Sequence, residues 1–226
     1  MAIQLYDYQR EALNRMKNGC ILCGGVGSGK SRTGLAYYYL QEGGQLGTDD
    51  YIPMKKPRDL YIITTARKRD TCEWQGDLAP FLLSPNPDAN YYKNKVVIDS
   101  WNNITKYVDV KNAFFIFDEQ RVVGYGAWTK AFLKIVKSND WILLELACDE
   151  WGLEGFHRAT YEYHAEKLRA IAKKYQAGIG YDYDATLVRC EAKKKKPHKD
   201  DDIGGDAMEL ALKQARRQAQ KEEKTP

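Results

Sequence analysis

Five short apolar runs punctuate the first 144 residues, and none of them alternates cleanly between apolar and polar positions. They are Cys20–Cys23, Leu60–Thr65, Lys95–Ser100, Phe114–Phe117 and Trp141–Leu144. Runs of this length, rich in β-branched and aromatic residues, predict strands buried on both faces. The stretches between them have helical character. Tyr6–Lys17 carries Leu13 and Met16 at helical spacing from Tyr8 or Gln9 and stops at Asn18-Gly19. Arg32–Leu40 continues as a helix to about Glu42, and Trp74–Leu83 forms another, closed by Ser84-Pro85-Asn86-Pro87. Strands separated by helices predict an α/β fold with a parallel sheet covered on both faces. Ligands of such sheets bind beyond the carboxyl ends of the strands.

Past Leu144 the pattern changes. Tyr161, Ala165, Leu168, Ala172 and Tyr175 recur at steps of four and three, which predicts one amphipathic helix ending near Gly178-Ile179-Gly180. Lys193–Lys196 followed by Asp200–Asp202 reads as solvated linker. Asp206 then caps a terminal helix with a thin stripe at Met208, Leu212, Ala215 and Ala219. The predicted organisation is a nucleotide-binding domain over 1–150, a helical extension over 151–192, and a charged linker with a terminal helix over 193–226.

The first strand runs into Gly24-Gly25-Val26-Gly27-Ser28-Gly29-Lys30-Ser31, a complete G-x-x-x-x-G-K-S phosphate loop in its required strand-to-helix setting. Glycines let successive backbone N–H groups turn toward phosphate oxygens, and the helix N-terminus adds partial positive charge. Lys30 is placed for the β- and γ-phosphates and the Ser31 hydroxyl for a magnesium ion. The motif predicts a P-loop NTPase.

Composition narrows the picture further. The 226 residues suit one domain with extensions, and 43% apolar content suits a packed core. A net charge of +4 is too small for a general positive field, so nucleic-acid binding has to rest on local patches. Cys20 and Cys23 lack a second pair at zinc spacing and read as core residues; the five scattered cysteines suit a reduced, cytoplasmic setting. No run reaches the length of a membrane span.

Hydrolysis also needs carboxylates at a strand end to organise the metal and orient a water. Phe114–Phe117 delivers Asp118 and Glu119 there: Asp118 for magnesium, Glu119 for the nucleophilic water. Asp149-Glu150 is the competing pair, disfavoured because Glu145 interrupts the apolar run before it.

These motifs, in the order Tyr6-Asp7-Tyr8-Gln9-Arg10, phosphate loop, Ile63–Arg67, Asp99-Ser100-Trp101 and Asp118–Arg121, resemble the first RecA-like lobe of superfamily 2 helicases. The flavour is that of phage-encoded proteins of the DEAD/DEAH and Swi/Snf-related kind, which would place the chain in a host cytoplasm. The resemblance covers about residues 3–144. It implies that Gln9 reads adenine, so that the cofactors are ATP and Mg²⁺. It also implies that the segment bearing Arg67, Lys68 and Arg69 contacts a nucleic-acid backbone, with DNA favoured over RNA. The family's Ser/Thr-Ala-Thr motif is absent after Leu144, and the second lobe with its arginine fingers has no recognisable counterpart. The expected function is thus a helicase-type ATPase lobe, completed by a partner or by self-association that supplies an arginine. The alternative is a nucleotide-dependent adaptor or relic lobe with little catalysis.

Overall fold

The computed structural model describes residues 3–47, 52–119, 126–146 and 187–189. The amphipathic helix, charged linker and terminal helix expected beyond residue 150 lie outside these residues, as do Thr48–Asp50, Gln120, Arg121, Asp149 and Glu150. The described elements run α1 (Asp7–Arg15), β1 (Ile21–Gly24), α2 (Lys30–Gln41), β2 (Leu60–Thr64), α3 (Ala66–Asp70), α4 (Glu73–Leu78), β3 (Val96–Ser100), β4 (Phe114–Asp118), α5 (Ala127–Val136), β5 (Asp140–Leu146) and β6 (Leu187–Arg189). Two 3₁₀ segments, Ala79–Phe81 and Trp101–Tyr107, follow α4 and β3.

The strands form one sheet in the order β3-β2-β4-β5-β1-β6, and every neighbouring pair is parallel. Alternation inside the apolar runs decides which residue serves which face. Leu22, Leu60, Ile62, Phe114, Ile116, Ile142 and Leu144 join Leu35, Tyr38, Trp74 and Leu78 in one core. Ile21, Tyr61, Ile63, Phe115, Phe117, Trp141 and Leu143 join Trp101, Ile104, Phe132 and Ile135 in the other. Both faces are therefore dry, as continuous apolar runs require.

Helix α2 crosses the sheet closely because Gly34 lacks a side chain. A Cβ there would sit 3.1 Å from Ile142 Cδ1 and 3.2 Å from Leu144 Cδ2. Glycine inside a helix costs about 0.5–1 kcal/mol relative to alanine, so close packing explains its presence. Replacing Gly34 with Val is expected to destabilise the fold by about 1–3 kcal/mol through overpacking. A fall in the urea midpoint at constant m-value checks this; an unmoved midpoint would show that α2 can lift from β5 freely.

Two features depart from the sequence reading. Strand β5 continues through Glu145, which is half-buried, so the carboxylate does not interrupt it. Strand β6 adds to the sheet beside β1 from within 151–192, the stretch read as helical extension. There the Cys23 thiol donates to the Val188 carbonyl at 3.4 Å. Burial pushes the Cys20 thiol up to about 12, as expected for a core residue. No helix among the described residues is long and apolar enough to cross a membrane.

Candidate active site

The carboxyl ends of β1, β2 and β4 bring together residues that the chain separates by up to a hundred positions. The phosphate loop leaves β1 at Gly24, and α2 begins at Lys30. Gly27 and Gly29 take left-handed φ values of 77° and 75°, which fold the loop back over the helix N-terminus. Ser28 closes the inside: its hydroxyl donates to the Gly25 carbonyl at 2.9 Å. Thr33 donates its hydroxyl to the Gly29 carbonyl at 3.0 Å, which ties the first turn of α2 to the loop. Val26 stands at the tip, 75% exposed.

Lys30 points into this ring. Its ammonium donates to the carbonyls of Gly24 at 2.6 Å and Gly25 at 2.5 Å. The positive charge is thereby held at the loop's centre, beside N–H groups that the helix start leaves facing outward. Gln9 closes the loop from α1. It is 2% exposed; its Oε1 accepts from the Tyr6 amide at 2.9 Å. Its Nε2 donates to Ser28 O at 3.3 Å and lies 3.5 Å from Gly29 O. A Cβ on Gly29 would collide with that same Nε2, so glycine is required there for space as well as for φ.

Asp118 ends β4, and β5 lies between β4 and β1. Two strand spacings, about 9–10 Å, thus separate the acidic strand end from the loop strand. That gap is wide enough for a triphosphate and a hydrated metal. Asp118 is held through both its side chain and its backbone. Thr64 donates its hydroxyl to Oδ2 at 2.8 Å, and the Trp101 indole N–H donates to the Asp118 carbonyl at 2.8 Å. Burial pushes the Asp118 carboxyl up, with Lys68 and Thr64 pulling it back. Glu119, the next residue, adopts φ 47° and donates its amide to the Leu144 carbonyl at 3.2 Å. Its side chain is 44% exposed, so the left-handed step turns this carboxylate outward where Asp118 points in.

Arg67, Lys68 and Arg69 lie on α3, one turn of helix. Thr65 caps it by accepting the Lys68 amide at 3.2 Å. The three cations do not act as one patch. Lys68 reaches inward to Asp118 Oδ2 at 3.0 Å and Glu119 Oε1 at 2.8 Å. Against burial, which lowers it, these carboxylates raise the Lys68 pKa. Arg69 pairs with Asp70 at 2.8 Å and with Asp99 at 3.2 Å. Arg67 is exposed.

Sequence reasoning missed one residue here, Asp77, and one contact of another, Lys68. Asp77 of α4 accepts a hydrogen bond from the Ser31 hydroxyl, and burial raises its pKa, with Arg32 and Ser31 opposing. Nothing in its spacing marked it, because only the packing of α4 beside α2 brings it to the loop. The resemblance assigns Lys68 to a nucleic-acid backbone; its reach to the acidic pair is a contact across 50 residues.

These groups fit ATP and magnesium. Among the described residues no cluster of three or more His, Cys, Asp or Glu is placed to cage a metal. Magnesium needs no such cage, since one or two protein oxygens suffice when phosphates and water supply the rest. Ser31 and Asp118 offer two such oxygens, and Lys30 offers a positive charge beside them.

The architecture has known counterparts. It resembles the Hef helicase domain of Pyrococcus furiosus, with a TM-score of 0.50 and 14% identity over 86% of this chain and 39% of that one. It is also similar to the SWI2/SNF2 ATPase core of Sulfolobus solfataricus, solved in complex with dsDNA. There the TM-score is 0.48, with 14% identity over 84% of this chain and 45% of that one. The chain spans less than half the length of either. No protein-family model and no curated protein matches its sequence. The fold is RecA-like α/β.

Proposed function

We propose that this chain is the ATP-binding and ATP-hydrolysing lobe of a helicase-like protein that acts on nucleic acid, DNA rather than RNA. One observation carries the reading: a complete phosphate loop and a strand-end Asp118-Glu119 pair face each other across β5 of a RecA-like sheet. In this reading the loop from Gly24 to Ser31 wraps the phosphates, Lys30 neutralises them, and Ser31 and Asp118 hold magnesium. When bound, magnesium screens the charge that develops on the phosphates during transfer. Glu119 orients the attacking water and accepts its proton.

Full turnover calls for an arginine directed at the phosphates, worth roughly 10³–10⁵ in rate. That group comes from a second lobe, another protein or a second copy of the chain. The test is ATP hydrolysis measured with and without single-stranded and duplex DNA. Binding of ATP with no turnover under any of these conditions would favour the adaptor reading instead.

Gln9 has two roles in this proposal. The amide already donates to Ser28 and Gly29 and accepts from Tyr6, and in this proposal the remaining lone pair of Oε1 reads an adenine edge. Gln9→Ala is expected to weaken ATP and GTP binding together, and ATP the more. Parallel titrations with the two nucleotides check it; equal losses would assign Gln9 to the loop alone.

A further inference from the structure

The two carboxylates proposed for magnesium and water already share a cation of the chain's own. Lys68 Nζ lies 3.0 Å from Asp118 Oδ2 and 2.8 Å from Glu119 Oε1, so one ammonium bridges both. The bridge is well built. Its side chain is 26% exposed, and that of Asp118 only 5%. Thr65 fixes the Lys68 backbone by capping α3, and Thr64 donates to the same Asp118 oxygen that Lys68 holds. An ammonium and a divalent cation repel each other strongly at such distances, so they cannot both occupy this pair of carboxylates. Lys68 has to withdraw before Asp118 and Glu119 can serve a metal and a water.

The direction of withdrawal is set by α3 itself. Arg67, one residue away, is exposed, and Arg69 is partly so, its side chain 33% exposed. A docked phosphodiester on this turn would meet Arg67 first and offer the Lys68 ammonium a charge in exchange for the two it leaves. The lysine stem is long and flexible, and a compact ammonium moves between partners more readily than a forked guanidinium.

Resting on the ATPase reading above, we propose that Lys68 is a lock on the acidic pair, released when a single-stranded nucleic-acid phosphate docks on α3. In the free chain the ammonium occupies Asp118 Oδ2 and Glu119 Oε1 and holds magnesium off. With nucleic acid on α3, Lys68 turns outward to a phosphate and the carboxylates become available. Nucleic acid and magnesium–ATP then favour one another through a single side chain, and the coupling is reciprocal.

The experiment measures the magnesium concentration that half-saturates binding of a fluorescent ATP analogue, with and without single-stranded oligo-deoxythymidine. In the unmodified chain the oligonucleotide is expected to lower that midpoint by about fivefold or more, the usual lower end of such coupling. In Lys68→Gln the midpoint is already low and the oligonucleotide leaves it unmoved. The salt slope of oligonucleotide binding in this variant falls by about 0.7, one phosphate contact. In Lys68→Arg the fork grips both carboxylates and the midpoint rises above that of the unmodified chain. Opposite shifts from these two substitutions are not what a merely structural ion pair gives, and the arginine variant keeps the charge that folding needs. Arg67→Gln weakens oligonucleotide binding and retains the magnesium effect.

An oligonucleotide that leaves the unmodified midpoint where it was, or that moves Lys68→Gln as far as the unmodified chain, overturns the lock. A chain that binds no nucleotide at any magnesium concentration overturns the ATPase reading, and the lock with it. The two failures are therefore distinguishable.

Discussion

Lys30→Ala is expected to remove ATP binding while leaving the sheet intact. The ammonium sits inside the phosphate loop, 2.6 Å from Gly24 O and 2.5 Å from Gly25 O. Other cations of the described residues are engaged elsewhere: Lys68 on the acidic pair, Arg69 on Asp70 and Asp99, and Arg32 beside Asp77. Hydrogen bonds to charged groups contribute about 1.5–3 kcal/mol each. Losing two phosphate contacts of that kind corresponds to about 3–6 kcal/mol, or roughly 10²–10⁴ in affinity. The fold should tolerate the change, since Lys30 is only half-buried and α2 is anchored by Leu35, Tyr38 and Tyr39 in the core. Calorimetric titration with ATP, beside a urea melt of the same variant, checks both halves. Undiminished affinity in a folded variant would remove the basis of the functional proposal.

What the sequence disclosed, and what it hid, follows from the range of the interactions involved. Strands β1 to β5 were legible because burial on both faces demands apolar residues at every position, and that demand is local. Phe114–Phe117 announces both a buried strand and, by where the apolar run stops, the place where Asp118 emerges. The phosphate loop was legible because glycine at 27 and 29 answers to backbone φ, and at 29 also to Gln9 behind it. Helix α5 had a readable period, with Ala131, Phe132, Ile135 and Val136 on its buried side, and went unread. Strand β6 offers three residues, too few for any period to show. Helix α3 offers Ala-Arg-Lys-Arg-Asp, whose three cations read alike as contacts for a nucleic-acid backbone. Only the fold reveals that one of those charges turns inward. Asp77 was hidden for the same reason: its partner Ser31 lies 46 positions earlier and meets it only through helix packing.

Glu119→Gln is expected to separate binding from turnover more sharply than any other single change. The residue holds a left-handed φ of 47°, a conformation that a side-chain-bearing residue adopts at some cost and that recurs where function requires it. Its side chain is 44% exposed, and Oε1 shares the Lys68 ammonium with Asp118. Glutamine matches the shape, keeps an oxygen for the Lys68 ammonium, and adopts the same backbone at similar cost. It lacks a basic oxygen. The loop contacts of Lys30, Ser31 and Gln9 are untouched, so ATP affinity should hold within about threefold, a difference well under 1.4 kcal/mol. Turnover should fall by about 10²–10⁴, the usual contribution of a positioned general base. Steady-state hydrolysis beside equilibrium nucleotide binding checks the split. A variant that turns over normally would move the base away from β4, and Asp77, already hydrogen-bonded to Ser31, would be the next carboxylate to test.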